Sequence, residues 1–241
     1  MLISRVVSPV FGANCFIYAT GPGGAAVVID PGANTSDAVK AEIERLDLTL
    51  EAVIATHGHA DHVWDCAAVA GELPVYVPGP DLYRMEDPAG ALGPLAAVMA
   101  QQAGYTWQRP ANVQEFPAQW FAGGASIAGL PFVAVAAPGH SEGSTFLLSA
   151  GELEPTGLHS PDGGELAGPA QFAFGGDVLF AGSVGRTDLP GGDERQMLSS
   201  LRTLQQVIAP ETWVLPGHGP ITRMRIEIAT NAHLKYAARV G

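Results

Sequence analysis

Thr56-His57-Gly58-His59-Ala60-Asp61-His62 places four potential metal ligands within six residues. No other feature of the chain limits its fold and chemistry as much. Glu51 to Ala55 before it reads as a short buried strand, and Val63 to Gly71 after it reads as an apolar-rich helix. The ligands therefore belong on a strand-to-helix turn, where backbone curvature aims several side chains at one place. His57 and His59 are spaced as on a strand end. Asp61 and His62 open the helix and can serve a second point close by. Imidazole and carboxylate without thiolate suit zinc, iron or manganese better than a soft metal.

Three more signals follow downstream: Ala137-Pro138-Gly139-His140-Ser141, Gly175-Gly176-Asp177-Val178-Leu179-Phe180 and Leu215-Pro216-Gly217-His218-Gly219. Each comes just after a β-like run (Phe132 to Ala136, Gln171 to Phe174, Trp213 to Leu215), and a glycine beside each ligand lets the backbone turn sharply. A single Gly-His or Gly-Asp step says little. Four strand ends that each deliver His or Asp describe a site assembled from loops on a sheet scaffold.

Taken in order, T-H-G-H-A-D-H, A-P-G-H-S, G-D-V-L-F and P-G-H-G resemble the metallo-β-lactamase superfamily, and within it the short glyoxalase II-like thioester hydrolases. Asn14-Cys15-Phe16 and the segment Ala181 to Asp193 agree with that group. The resemblance implies an α/β fold, a four-layer αβ/βα sandwich of two mixed β-sheets flanked by helices, formed by residues 1–241 as one domain. It also implies two divalent metal ions, zinc first, with iron or manganese as alternatives. His57, His59 and His140 would hold the first ion, and Asp61, His62 and His218 the second, with Asp177 bridging them. A hydroxide shared by the ions would attack a thioester carbonyl, with Asp61 also orienting it as a catalytic residue. Arg186, the only basic residue in Ala181 to Asp193, is the candidate for binding an anionic substrate group. Its alternative role is an ion pair with Asp188 or Asp193.

Neighbouring activities of the superfamily are weighed on single residues. Asp177 stands where true metallo-β-lactamases lack a bridging ligand. Mononuclear iron persulfide dioxygenases, which use two of the histidines and the aspartate and also carry a G-R-T-D segment, are the runner-up, but Val184 stands where they carry cysteine; lactone hydrolysis is a third option. A catalytically idle binding protein is disfavoured because every ligand position is filled. Full-length glyoxalase II adds a helical domain with basic residues for glutathione, and little of this chain follows His218, so the physiological thioester stays open.

Composition narrows the partners. A net charge of −12, with Lys40 and Lys235 the only lysines, argues against a nucleic-acid backbone as ligand. No apolar run reaches the length of a membrane span and no secretory pattern opens the chain, so a soluble cytoplasmic enzyme acting on a small molecule is expected. Cys15 and Cys66 cannot build a disulfide framework, and Cys66 is expected as a buried helical thiol.

Along the chain, strands are expected at Leu2 to Val7, Asn14 to Ala19, Ala25 to Ile29 and Val75 to Val77, with a helix capped by Asn34, Thr35 or Ser36 and running to about Leu46. Within the mixed stretch Asp81 to Gln108, Leu95 to Gln102 reads as helix ended by Gly104. Its large apolar residues Tyr83, Met85, Leu92, Met99, Tyr105 and Trp107 are read as mostly core rather than substrate pocket. Ala150 to Ala170 reads as an exposed loop at the edge away from the metals, with His159 a surface residue. A helix is expected from Asp193 to Ala209, and another from Ile221 onward holding Glu227, Asn231 and His233.

Overall fold

In the computed structural model, which describes residues 1–240, two six-stranded sheets lie face to face. The first consists of β1 (Leu2–Val7), β2 (Asn14–Ala19), β3 (Ala25–Ile29), β4 (Thr49–Ile54), β5 (Val75–Val77) and β6 (Val113–Glu115), in that order across the sheet. Strands β1 to β3 are antiparallel, and β3 to β6 run parallel. The second sheet begins with β7 (Ala125–Ile127), β8 (Leu130–Ala136), β9 (Thr145–Leu153) and β10 (Gly168–Gly176), all antiparallel. After a small hairpin of β11 (Leu179–Phe180) and β12 (Ser183–Val184), β13 (Trp213–Pro216) adds in parallel beside β10, and β14 (Thr222–Arg223) closes the sheet. Both sheets are therefore mixed.

Alternation along the strands builds the layers. In β2, Phe16 and Tyr18 face the second sheet, while Cys15, Ile17 and Ala19 face outward, and all are buried. Phe172 and Phe174 of β10 meet Tyr18 and Phe16 across the gap, with Tyr18 and Phe172 edge to face at 5.3 Å between centroids. Helices α1 (Ser36–Arg45), α2 (Ala60–Val63) and α3 (Cys66–Ala70) cover the outer face of the first sheet through Val39, Val63, Cys66 and Val69. Beyond α4 (Ala96–Ala103) and α5 (Ala118–Phe121), α6 (Glu194–Val207) covers the second sheet through Met197, Leu201 and Leu204. The chain finishes with α7 (Met224–Thr230) and α8 (Ala232–Arg239). The layer order is helix, sheet, sheet, helix, as the resemblance implied. Cys66 sits fully buried on α3, as expected. Among the described residues, no helix is long and apolar enough to cross a membrane.

Three expectations are revised. Strands β9 and β10 continue pairing as far as Leu153 opposite Gly168, so the expected loop of 150–170 shrinks to 154–167. It is not wholly exposed either: Leu158 and Leu166 are buried in the core between the sheets. The sequence around them is rich in Gly, Pro and Glu, which hides two buried leucines from any periodic reading. His159 is exposed, as expected. The C-terminal helix is two helices: Asn231 takes an extended backbone and caps α8, its side chain accepting from the N–H groups of His233 and Leu234. In the excursion between β5 and β6, Met85, Leu92 and Met99 are core, but Tyr83 and Tyr105 are exposed.

Candidate metal centre

β4, β8, β10 and β13 point the same way, and each ends at one edge of the sandwich just before His57, His140, Asp177 and His218 respectively. Their ligand atoms form two groups. Atoms of His57, His59 and His140 lie within 4.8 Å of one another, as do atoms of Asp61, His62 and His218. Asp177 reaches both: its carboxylate oxygens lie 3.5 Å from His140 Nε2, 3.3 Å from His62 Nε2 and 3.4 Å from His218 Nε2. All seven residues named from the sequence thus converge.

Hydrogen bonds behind the rings set which nitrogen faces inward. His140 Nδ1 donates to the carbonyl of Arg186 at 2.8 Å, leaving a lone pair on Nε2. His62 Nδ1 faces the carboxylate of Asp30 at 3.3 Å. Thr56 Oγ1 donates to Asp30 at 2.6 Å and so receives the proton of His57 Nδ1 at 3.2 Å. The Nε2 atoms of His57, His62 and His140 therefore face into the site. Asp30, His57 and His62 also lie close enough to suggest a third cluster. Asp30 already accepts from Thr56 N and Thr56 Oγ1, and serves His62 from behind, so it orients ligands instead of adding a centre.

A cation fits this arrangement. His57 Nε2 and His59 Nε2 are buried and have no hydrogen-bond partner, while His62 Nε2 and Asp177 Oδ1, also buried, have only each other at 3.3 Å. An orphaned buried polar group costs about 1–3 kcal/mol, so such a cluster calls for a shared ligand. His59 Nδ1 and His140 Nε2 lie only 2.8 Å apart, a spacing for a single bridging proton or a metal. Electrostatics separates the two groups. Burial holds His57 well below its ordinary pKa and His59 down at about 3, so these two imidazoles of the first group are neutral. In the second, burial is outweighed by Asp177 and Asp61: His62 is pushed well above its usual value and His218 up to about 9. The negative field that draws protons to these imidazoles also draws divalent cations. Neutral nitrogens and carboxylates without sulfur suit zinc, iron or manganese alike.

A cavity of about 320 Å³ opens onto both groups. Phe11, Leu92, Leu95, Phe180 and Leu189 form apolar walls, and Arg186 stands at the rim. Leu92 is thus both core and wall. Arg186 is half exposed and pairs through two hydrogen bonds, 2.6 and 2.8 Å, with Asp188. Asp193, the other candidate partner, instead caps α6 by accepting from Gln196 N.

Sequence reasoning missed several supporting residues. Asp30 and Asp81 are buried acids at the ends of β3 and β5, at the same edge as the ligands, so the strand-end rule that found Asp177 applied to them too. Asn14 donates to the carbonyls of Pro216 and Gly219 at 2.9 Å each, holding the turn that carries His218. Phe11, with a left-handed backbone (φ 57°), left no sequence signal for its place in the wall.

The fold and the paired ligand groups are those of a metal-dependent hydrolase of the metallo-β-lactamase superfamily, and the chain belongs to that superfamily. The description "Metallo-beta-lactamase superfamily" matches residues 8–218. An uncharacterized protein of Mycobacterium tuberculosis is 32% identical over 241 residues, covering 99% of this chain and all of the relative. The hydroxyacylglutathione hydrolase GloC of Haemophilus influenzae is 30% identical over 213 residues, 87% of each chain. Among solved structures, TTHA1623 in a di-iron-bound form shares 31% identity with a TM-score of 0.68, covering 95% of this chain and 98% of that one.

Proposed function

We propose that the chain is a thioester hydrolase of glyoxalase II type, acting on S-acylglutathione or a related small-molecule thioester with two divalent metal ions. The observation that carries this reading is the completeness of the second ligand group: His218 Nε2 stands 3.3 Å from Asp61 and 3.4 Å from Asp177. A mononuclear dioxygenase needs only two histidines and an aspartate and has no use for that group. The similarity to GloC supports the thioester, and the di-iron relative supports iron beside zinc as the metal.

Bound divalent ions would supply a water ionised near neutral pH and an electrophile for the carbonyl oxygen. The chain's own groups do the rest. Phe11, Leu92, Leu95 and Leu189 shelter the acyl group from bulk water. Asp61, buried yet lining the cavity, accepts a hydrogen bond from the attacking water and orients it. Water adds to the carbonyl carbon, the carbon–sulfur bond breaks, and the sulfur departs as a thiolate. A thiolate is stable enough to leave without a dedicated acid, and no serine or cysteine nucleophile is required.

The test is metal analysis of purified protein with parallel assays on a glutathione thioester and on glutathione persulfide. The expected result is close to two metals per chain and thioester turnover without oxygen uptake. Oxygen uptake on the persulfide by protein holding one iron would overturn the reading.

Arg186 is proposed to attract the carboxylates of such a substrate. Its rim position and its pairing with Asp188 limit the effect. Because His140 uses the backbone carbonyl of Arg186, Arg186→Ala removes the side chain without releasing that ring. We expect kcat/KM to fall roughly two- to fivefold on a glutathione thioester and to stay unchanged on a short neutral thioester. Equal losses on both would mean that Arg186 only fixes its loop.

A further inference from the structure

Asp81 is fully buried four residues beyond the end of β5, outside every motif that suggested a metal site. Its two oxygens accept four hydrogen bonds. Oδ2 takes Gly58 N at 2.8 Å and Ser141 Oγ at 2.7 Å; Oδ1 takes Gly143 N at 2.7 Å and Arg84 Nε at 3.3 Å. Gly58 lies between His57 and His59, and Ser141 follows His140. One carboxylate oxygen therefore joins the two chain segments that carry the whole first ligand group. None of its partners is adjacent in sequence to Asp61, His62 or His218.

The packing leaves the clamp little freedom. A Cβ on Gly58 would meet Arg84 Cδ at 2.8 Å, and one on Gly143 would meet Asp81 Cγ at 2.6 Å, so both backbones press directly on the pair. Arg84, itself buried, supplies the countercharge and also bonds to Glu142 and to the Pro190 carbonyl. A carboxylate with four donors, one of them a guanidinium, is well satisfied in a low-dielectric place. Asp30 has the corresponding place behind His62.

We propose that Asp81 is a positioning residue for the first metal site alone: it fixes the separation of the His57–His59 turn from His140, and thereby sets that site's affinity. The inference rests on the metal-site part of the proposed function.

The experiment isolates each site. His218→Ala leaves the three-imidazole group intact, and His140→Ala leaves the group of Asp61, His62 and His218. Cobalt(II) affinity is measured in each background by competition with a chromophoric chelator, with and without Asp81→Asn. An asparagine amide turns an NH₂ toward two N–H or O–H donors and loses one pair of bonds. The expected result is cobalt binding weakened roughly ten- to hundredfold in the His218→Ala background and by less than about twofold in the His140→Ala background. Equal weakening in both, the signature of a general loss of stability, overturns the proposal, and so does no weakening in the first. If Asp81→Asn does not fold, Ser141→Ala, which removes only one of the four bonds, goes through the same two backgrounds. A several-fold loss confined to the first supports the clamp, and any other pattern overturns it. A wild-type count of one cobalt would count against the dinuclear reading alone, because the clamp is read within single-site backgrounds.

Discussion

Asp177→Asn is expected to take the protein from about two bound metals per chain to fewer than one, and to lower thioester kcat/KM on the order of 10³-fold or more. The Asp177 carboxylate lies between the ligand groups, at 3.3 to 3.5 Å from His62, His140 and His218. Burial opposes its ionisation, but His62 and His218 hold its pKa well below the usual carboxylate range, so it is anionic at neutral pH. Asparagine keeps the shape and removes the charge. The first group then has three imidazoles and no anion, and the second keeps only Asp61. Two divalent ions close together cannot be held with so little negative charge nearby. Metal analysis after gel filtration and a steady-state assay check this, with far-ultraviolet circular dichroism to establish that the variant folds. A variant that retains two metals and near-normal turnover would mean that Asp177 does not bridge.

How much of this was legible beforehand depends on how local the signal is. β1, β2, β3 and β5 appear at the expected residues because alternation and Gly/Pro turns are written within a few positions. All seven candidate ligands are legible for a related reason: each follows a β-like run and sits beside a glycine or within one dense motif. Asp30 and Asp81 obey the same rule, yet neither lies within a histidine-bearing motif. Their roles depend on partners distant in sequence, Thr56 and His62 for one, Gly58 and Ser141 for the other. Such pairings exist only once the sandwich closes. Leu158 and Leu166 illustrate the same limit in the core: two leucines in a polar, glycine-rich stretch have no period, and only the gap between the sheets makes them inside. From sequence Arg186 suits either an anionic substrate group or an ion pair with Asp188 or Asp193, and the structure pairs it with Asp188 while leaving it at the cavity rim.

The two glycines that flank His218 are expected to respond to alanine in opposite ways. A Cβ on Gly217 would run into Asp177 Oδ1, with His62 Cε1 at 2.7 Å and the backbone carbon of Gly176 at 3.1 Å. The backbone cannot retreat. Gly217 N donates to Gly176 O at 2.8 Å, its carbonyl accepts from Asn14 N at 2.6 Å, and the Asn14 side chain holds Pro216 and Gly219 on either side. The yielding parts are then the Asp177 and His62 side chains, both proposed ligands. Gly217→Ala should fold with an overpacking cost of about 1–3 kcal/mol. It should lose the second metal and lower kcat/KM roughly a hundredfold or more, since a misplacement near 1 Å has that scale of effect. Gly219 has the left-handed backbone (φ 75°) that an L side chain resists, but no atom lies within 4 Å of its Cβ position. Gly219→Ala should therefore cost about 1–2 kcal/mol of backbone strain, seen as a lower melting temperature of the metal-free protein, while both metals and most activity remain. Metal counts and melting curves on the two variants separate these effects. Retention of both metals by Gly217→Ala, or their loss in Gly219→Ala, would show that close packing against Asp177 does not position the second site.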